Sequence, residues 1–395
     1  MQDETEKTPL VYLIAGEASG DLLASRLMAA LSKKTNGKIR FAGVGGDTMR
    51  QAGFQTLYDN SELAVMGFAE VLPRIPKILG MITATVKDIA EKRPDIVITI
   101  DSWSFSERIH KKLKGMKIPH IHYVAPQVWA WREKRAMKIS EKVDGLLTLL
   151  PFEPKYFTRY GLDTVCVGHP VVETCKTLGD GKKFREKYKI PADSTVISVL
   201  PGSRHSEIKY LLPVFAETIR KLQQKIPNLY IIMPTVNAVA DSVSKYVNSC
   251  NLPVMVLCGN QQDKADAFAA SDAALAASGT VSLELAIAGV PHLIAYKMSP
   301  ITVYFARRLL KIKYVNLINL LANHEVIPEL LQDDCTPDIL VHNLFGLLKN
   351  KEKAAMQIGM AKKQLEKIGY GQDTTPSEKA ADKVLQIIEQ NRHKQ

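Results

Sequence analysis

The stretch Val11-Tyr12-Leu13-Ile14-Ala15-Gly16-Glu17-Ala18-Ser19-Gly20-Asp21 decides the fold. Its first five residues form a short apolar run, and after Asp21 the apolar side chains Leu22, Leu23, Leu27, Met28 and Leu31 fall at helical spacing. The pattern predicts a strand, a tight turn and a helix. Gly16 and Gly20 let the backbone turn sharply and approach a ligand without a Cβ in the way, while the first helical N–H groups point into the turn. In an open parallel sheet, ligands bind beyond the carboxyl ends of the strands, so Glu17, Ser19 and Asp21 are placed where chemistry is usually done. A structural role fits the same pattern: Ser19 or Asp21 could simply cap the helix.

The same unit recurs along the chain. A second strand is expected at Ile39 to Val44, with the glycine turn Gly43 to Gly46 and a helix from Asp47. This Gly-x-Gly-Gly spacing falls short of the dinucleotide fingerprint and lacks the expected acidic residue about twenty positions on, which argues against a nicotinamide cofactor. Asp95 to Asp101 reads as a buried parallel strand ending in a carboxylate, and Asp101 is either a base or a helix cap. His120 and His122 alternate on one strand face without a third metal ligand, so a hydrogen-bonded structural pair is expected. Trp129 and Trp131 with Arg132, Lys134, Arg135 and Lys138 form an aromatic and basic stretch suited to nucleic acid or lipid phosphate.

Around Gly168-His169-Pro170 and the following charged segment, turn formers replace apolar periodicity and mark a domain boundary. Val196 to Leu200 then opens a second domain with the loop Pro201-Gly202-Ser203-Arg204, a helix start at which Arg204 can grip a phosphate with two prongs. Strands near 229–235, 253–259, 271–279 and 291–297 follow. After the third, with its turn Ser278-Gly279-Thr280, Gly279 and Thr280 can offer backbone N–H groups to a diphosphate, and Glu284 can accept both hydroxyls of a ribose; a capping arrangement of Ser278 or Thr280 with a later carboxylate is the structural alternative.

The 395 residues suggest two domains, and 46% hydrophobic with 24% charged residues is ordinary for a globular protein. Five scattered cysteines without a C-x-x-C pair imply reduced, packed thiols. The N-terminal MQDETEKTPL is too acidic and polar for a signal peptide, and no apolar run reaches about 18 residues, so a cytoplasmic location is expected. A net charge of +11 calls for a polyanion, an anionic membrane or a phosphorylated substrate. Within 63–82, Phe68, Val71, Leu72, Ile75, Ile78 and Leu79 could dip into lipid while Arg74 and Lys77 meet phosphates; a proline-interrupted core helix is the plainer reading. Arg307, Arg308, Lys311 and Lys313 beside Leu309, Leu310 and Ile312 form a second basic and apolar surface.

Taken together, AGEASGD (15–21), LAVMGFAEVL (63–72), ID (100–101), HYVAPQVWAWR (122–132), LPFE (150–153), GHP (168–170), LPGSR (200–204), ASGTVSLE (277–284) and YVNLINLLA (314–322) resemble the lipid-A-disaccharide synthases of Gram-negative bacteria. The resemblance runs in order across almost the whole chain. It implies an α/β GT-B fold: Rossmann-like domains at 1–170 and 171–365 facing across a cleft, and a helical segment 366–395 returning to the first. It also implies an inverting glycosyl transfer from UDP-2,3-diacylglucosamine to 2,3-diacylglucosamine 1-phosphate (lipid X), peripheral to an inner membrane of anionic phospholipids. Asp101 would be the base with Glu17 as its alternative, Gly16, Ser19, Gly20 and Asp21 would form the acceptor turn, and Ser203, Arg204, Ser278, Gly279, Thr280 and Glu284 would hold UDP. By the same analogy Asn319 would lie near the donor sugar. No metal, cofactor or nucleic acid is expected, and a homodimer is compatible with this reading. One departure stands out: Ser102-Trp103-Ser104-Phe105 follows Asp101 where family members often carry a Pro-Asp-Phe type sequence, so a second nearby carboxylate is missing there.

Two other classes fit parts of the pattern. A UDP-N-acetylglucosamine 2-epimerase would explain the nucleotide loops but not the apolar 63–82 segment, and a non-catalytic basic binding protein would leave the glycine turns at strand ends unexplained. The apolar segment generates a direct test. Binding to phosphatidylglycerol vesicles should weaken as salt is raised and weaken again in a Phe68→Asp, Leu72→Asp double variant. Binding indifferent to both would remove the lipid-docking role.

Overall fold

A computed structural model of the chain describes residues 8–59, 75–131, 133–175, 177, 179–309 and 312–393. Two compact units emerge, one comprising residues through Pro170 together with Gln372–Gln395, the other Val171–Gly371. The first holds β1 (Leu10–Ala15), β2 (Arg40–Val44), β3 (Ile96–Ile100), β4 (His120–Tyr123), β5 (Gly145–Thr148) and β6 (Asp163–Cys166). The second holds β7 (Thr195–Leu200), β8 (Leu229–Pro234), β9 (Val254–Leu257), β10 (Ala273–Ala277), β11 (His292–Tyr296) and β12 (Glu329–Leu331). All pairings are parallel, in the orders β2-β1-β3-β4-β5-β6 and β12-β11-β10-β7-β8-β9. The strand, turn and helix units read from the sequence are therefore present, and short β6 and β12 complete the edges.

Alternation along β1 shows how each sheet is buried on both faces. Val11, Leu13 and Ala15 join Leu23, Leu27 and Leu31 of the helix Ala18–Lys34, whereas Leu10, Tyr12 and Ile14 join Ile82, Ile89, Phe105 and Ile109 on the opposite face. Strands covered by helices on both sides need near-continuous apolar runs, which these sequences supply. The C-terminal helix Pro376–Arg392 seats Ala380, Ala381, Val384 and Ile388 in the first of these clusters. Its Glu378, Asp382, Lys383 and Arg392 pair with Lys33, Lys34, Asp163 and Asp95. Exposed pairs of this kind contribute about 0–1 kcal/mol each, so apolar burial holds the helix and the charges set its register.

Phe68, Val71, Leu72 and Arg74 lie outside the described residues. The helix Ile75–Lys92 begins with Ile75, Lys77 and Leu79 exposed, Ile75 and Leu79 being 41% and 49% accessible. Ile78 differs from the expectation of a lipid-facing side chain, because it is half-buried against the cluster around Tyr12 and Ile82. No described helix is long and apolar enough to cross a membrane.

His120 and His122 are both buried, but they are not bonded to each other. His120 Nδ1 meets Asp144 at 2.6 Å, while His122 Nδ1 and His110 Nε2 each lie 2.7 Å from the Thr99 hydroxyl. Burial pushes His122 down to about 3 and His292 and His169 down to about 4, from 6.5 for a free imidazole. Between about pH 6.5 and 4 the unfolded chain therefore binds protons that the folded chain refuses, so stability falls as pH is lowered through that window. Each tenfold loss of proton affinity on folding corresponds to about 1.4 kcal/mol. Urea midpoints should drop steadily across the window, and His292→Gln should flatten part of the drop. A level midpoint would show that these imidazoles protonate in place without penalty.

Candidate functional site

Each sheet has one place where successive connections leave in opposite directions, and there the crevice beyond the strand ends opens. In the first unit it lies between β1 and β3, where Ala15 stands opposite Ile100. Gly16-Glu17 and Asp101-Ser102 consequently emerge side by side. Gly20 permits the close approach of the helix: a Cβ there would sit 3.1 Å from the Ile100 carbonyl oxygen and 3.6 Å from Asp101 Cβ.

The two carboxylates are held by the two turns reciprocally. Ser19 Oγ donates to Asp101 Oδ2 at 2.9 Å, the Ser102 amide donates to Asp101 Oδ1 at 2.9 Å, and Ser102 Oγ donates to Glu17 Oε1 at 2.6 Å. Asp101 and Ser102 both adopt left-handed backbone, with φ of 57° and 42°. Such residues cost about 1–3 kcal/mol each and cluster at functional sites. The carboxylate of Asp101 is only partly buried and remains open to a reactant.

Asp21 has a different task. Its buried carboxylate accepts from the amides of Gly46 and Thr48 at 2.7 Å and of Met49 at 3.3 Å, capping the helix Asp47–Gln51. The sequence allowed a cap on Asp21's own helix, whereas the structure uses it on the next one. Gly16 is buried. Glu153 is a comparable case that sequence reasoning did not single out: buried after β5, it accepts from the Leu149 and Leu150 amides and from Trp129 Nε1. Burial raises the Glu153 carboxyl above its ordinary value, against the lowering effect of those bonds. Trp129 is thus half-buried and tied down, with Phe152 edge-on at 5.2 Å, and is no open aromatic platform.

In the second unit the reversal lies between β7 and β10, Leu200 opposite Ala276. The Gly202-Ser203-Arg204 and Ser278-Gly279-Thr280 turns face one cavity of about 340 Å³, together with Glu207, Lys264 and Glu284. Glu207 is the residue missed here. Its Oε2 accepts from the Ser203 amide at 2.8 Å and the Arg204 amide at 3.2 Å, and its Oε1 lies 3.8 Å from an Arg204 guanidinium nitrogen. Two N–H groups of this turn are therefore already occupied, and attraction for an anion falls to the Arg204 side chain, which is 62% exposed. Gly202, at φ 118°, is required because a Cβ would lie 2.4 Å from Glu207 Oε2.

Ser278 donates to the Val315 carbonyl at 3.3 Å. Glu284 meets Lys264 Nζ at 2.6 Å, and Thr280 makes no side-chain cap. Asn319 is fully buried: its amide donates to the Ile327 carbonyl and Glu329, and its oxygen accepts from the Val326 and Ile327 amides. It pins the loop that follows it.

A family model described as lipid-A-disaccharide synthetase matches residues 11–384. The lipid-A-disaccharide synthase of Paramagnetospirillum magneticum is 50% identical over 387 residues, covering 97% of this chain and 98% of that one. That of Rhodospirillum centenum is 47% identical, covering 97% and 95%. Among solved structures, the UDP-GlcNAc 2-epimerase of Neisseria meningitidis, bound to UDP-GlcNAc, shares a TM-score of 0.64 at 13% identity over 95% of this chain and all of that one. The calicheamicin glycosyltransferase shares 0.60 at 14% identity over 97% and 99%. At such identities the likeness carries the two-unit α/β GT-B fold alone, so the epimerases match in architecture and the synthases in sequence. The chain belongs to the lipid-A-disaccharide synthase family of glycosyltransferases.

Proposed function

We propose that this chain transfers the diacylglucosamine of UDP-2,3-diacylglucosamine to the 6-hydroxyl of 2,3-diacylglucosamine 1-phosphate, giving the β-1,6 disaccharide 1-phosphate and UDP. The observation that carries the chemistry is the Asp101 carboxylate, fixed through both oxygens at the sheet reversal of the first unit. Asp101 takes the proton of the acceptor hydroxyl as its oxygen attacks the anomeric carbon. The bond from that carbon to the UDP oxygen breaks, and its electron pair leaves on the diphosphate, inverting the centre. Glu17, tethered through Ser102, is the alternative base.

The second unit holds the nucleotide. Arg204 offsets the charge developing on the leaving diphosphate, Ser203, Ser278, Gly279 and Thr280 line its cavity, and Glu284 accepts the ribose hydroxyls. Substrates with acyl chains lie in a membrane, which matches the positive charge and the exposed Ile75, Lys77 and Leu79; peripheral docking on anionic phospholipid is part of the proposal.

Positioned general bases contribute about 10² to 10⁴ in rate. Asp101→Asn should therefore lower disaccharide formation in detergent by that factor while UDP affinity stays at the parent value. Full turnover in Asp101→Asn, with loss in Glu17→Gln, would transfer the role to Glu17. No disaccharide from the parent chain, with UDP still bound, would overturn the reaction itself.

A further inference from the structure

Two cavities of the second unit share a wall. Beside the 340 Å³ cavity lies another of about 490 Å³, floored by Ala265, Phe268, Ile287 and Ala288, and Lys264 and Glu284 line both. Their side chains meet at 2.6 Å and are 28% and 12% exposed.

Local sequence explains why Lys264 stands there. The helix Gln261–Ala269 starts at Asn260, whose side chain accepts from the Asp263 amide while Asp263 accepts from the Asn260 amide. Gly259 is needed at this turn, since a Cβ would lie 2.7 Å from Asp263 Oδ2. The cap fixes the first turn of the helix, and Lys264 follows directly. One turn later the Phe268 ring supports the lysine, its centroid 5.8 Å from Nζ. Glu284 comes from the neighbouring helix Val281–Ile287, so the ion pair bridges two helices at the cavity edge.

We propose that Lys264 is a positioning residue for the nucleotide: it holds the Glu284 carboxylate toward the smaller cavity so that it accepts both hydroxyls of a ribose and selects ribonucleotides over 2′-deoxyribonucleotides. The inference rests on the reading of Glu284 as the ribose acceptor. A carboxylate offers about four lone-pair sites. Lys264 occupies one on Oε2 and leaves the others for a cis-diol. Without the lysine, the glutamate regains rotamer freedom that nucleotide binding must remove again. A site built to bind a hydroxyl also penalises its absence, because the acceptor is then left unpaired.

Calorimetric titration of the full chain with UDP and with 2′-deoxy-UDP tests this. The parent should prefer UDP by about tenfold or more, the scale of a hydrogen bond to a charged group. Lys264→Met should bring the two affinities within about threefold and raise the donor KM with kcat near parent, and Lys264→Arg should restore the preference. Lys264→Gln, which keeps a polar side chain without the charge, gives the same readout if Lys264→Met does not fold. Preference lost in Glu284→Gln but retained in folded Lys264→Met or Lys264→Gln overturns the positioning role alone. Preference retained in Glu284→Gln as well overturns the ribose reading beneath it.

Discussion

The register of parallel pairing at the two sheet reversals is the constraint on which everything chemical here depends. With Ala15 opposite Ile100, the turns after β1 and β3 leave the sheet at the same height, and the hydroxyls of Ser19 and Ser102 can each reach the other turn's carboxylate. A slip of one residue would turn every side chain of β1 to the opposite face, moving Val11 and Leu13 out of the cluster that seats the C-terminal helix. It would also displace Gly20 from the Ile100 carbonyl. Burial on both faces therefore fixes the register, and the register fixes the site. In the second unit, Leu200 opposite Ala276 does the same for the Arg204 and Ser278 turns.

Carboxylates in this molecule divide by what they accept. Asp21, Glu153 and Glu207 are nearly buried, and each takes two or more backbone amides that would otherwise lack partners. An unsatisfied buried amide costs about 1–3 kcal/mol, so these bonds hold the turns together. Asp101 and Glu17 are only partly buried and are held chiefly by hydroxyls of the facing turn. Glu284 is held by a lysine ammonium at a cavity wall. The acids to which the proposed reaction assigns roles are those whose bonds hold them in place without enclosing them.

That division sets how far the sequence could be read. Strands and turns are local: short apolar runs announce β1, β3, β7 and β10, and a strand-end position follows directly, so Asp101, Ser203 and Ser278 could be placed at the crevice. The use of each acid is not local. Asp21 caps a helix that begins 26 positions later, and nothing within its own turn distinguishes this from a catalytic role. The bonds of Asn319 are not local either, since its partners Val326, Ile327 and Glu329 lie across a loop whose path is set by packing. The strands β6 and β12 are short edges with little periodicity to detect. The amphipathic C-terminal helix was visible, but its seat on the first unit depends on small Ala380 and Ala381 fitting a surface made by distant strands.

In the proposed reaction the strained turn at Asp101 links the fold to the rate. Two consecutive left-handed residues without glycine persist only where the surroundings over-determine them. Below the turn, Thr99 is clamped between His110 and His122, both buried; above it, Gly20 brings the helix onto the strand end, and Ser19 and the Ser102 amide fix one carboxylate oxygen each. The cost of orienting the acid is thus met by core packing when the chain folds and does not recur at each turnover. Preorganisation of this kind places charge where it will be needed without reorganisation during reaction. The buried imidazoles beneath the turn carry the reverse of that arrangement: burial disfavours their charged forms, so acid works against the packing on which the turn rests.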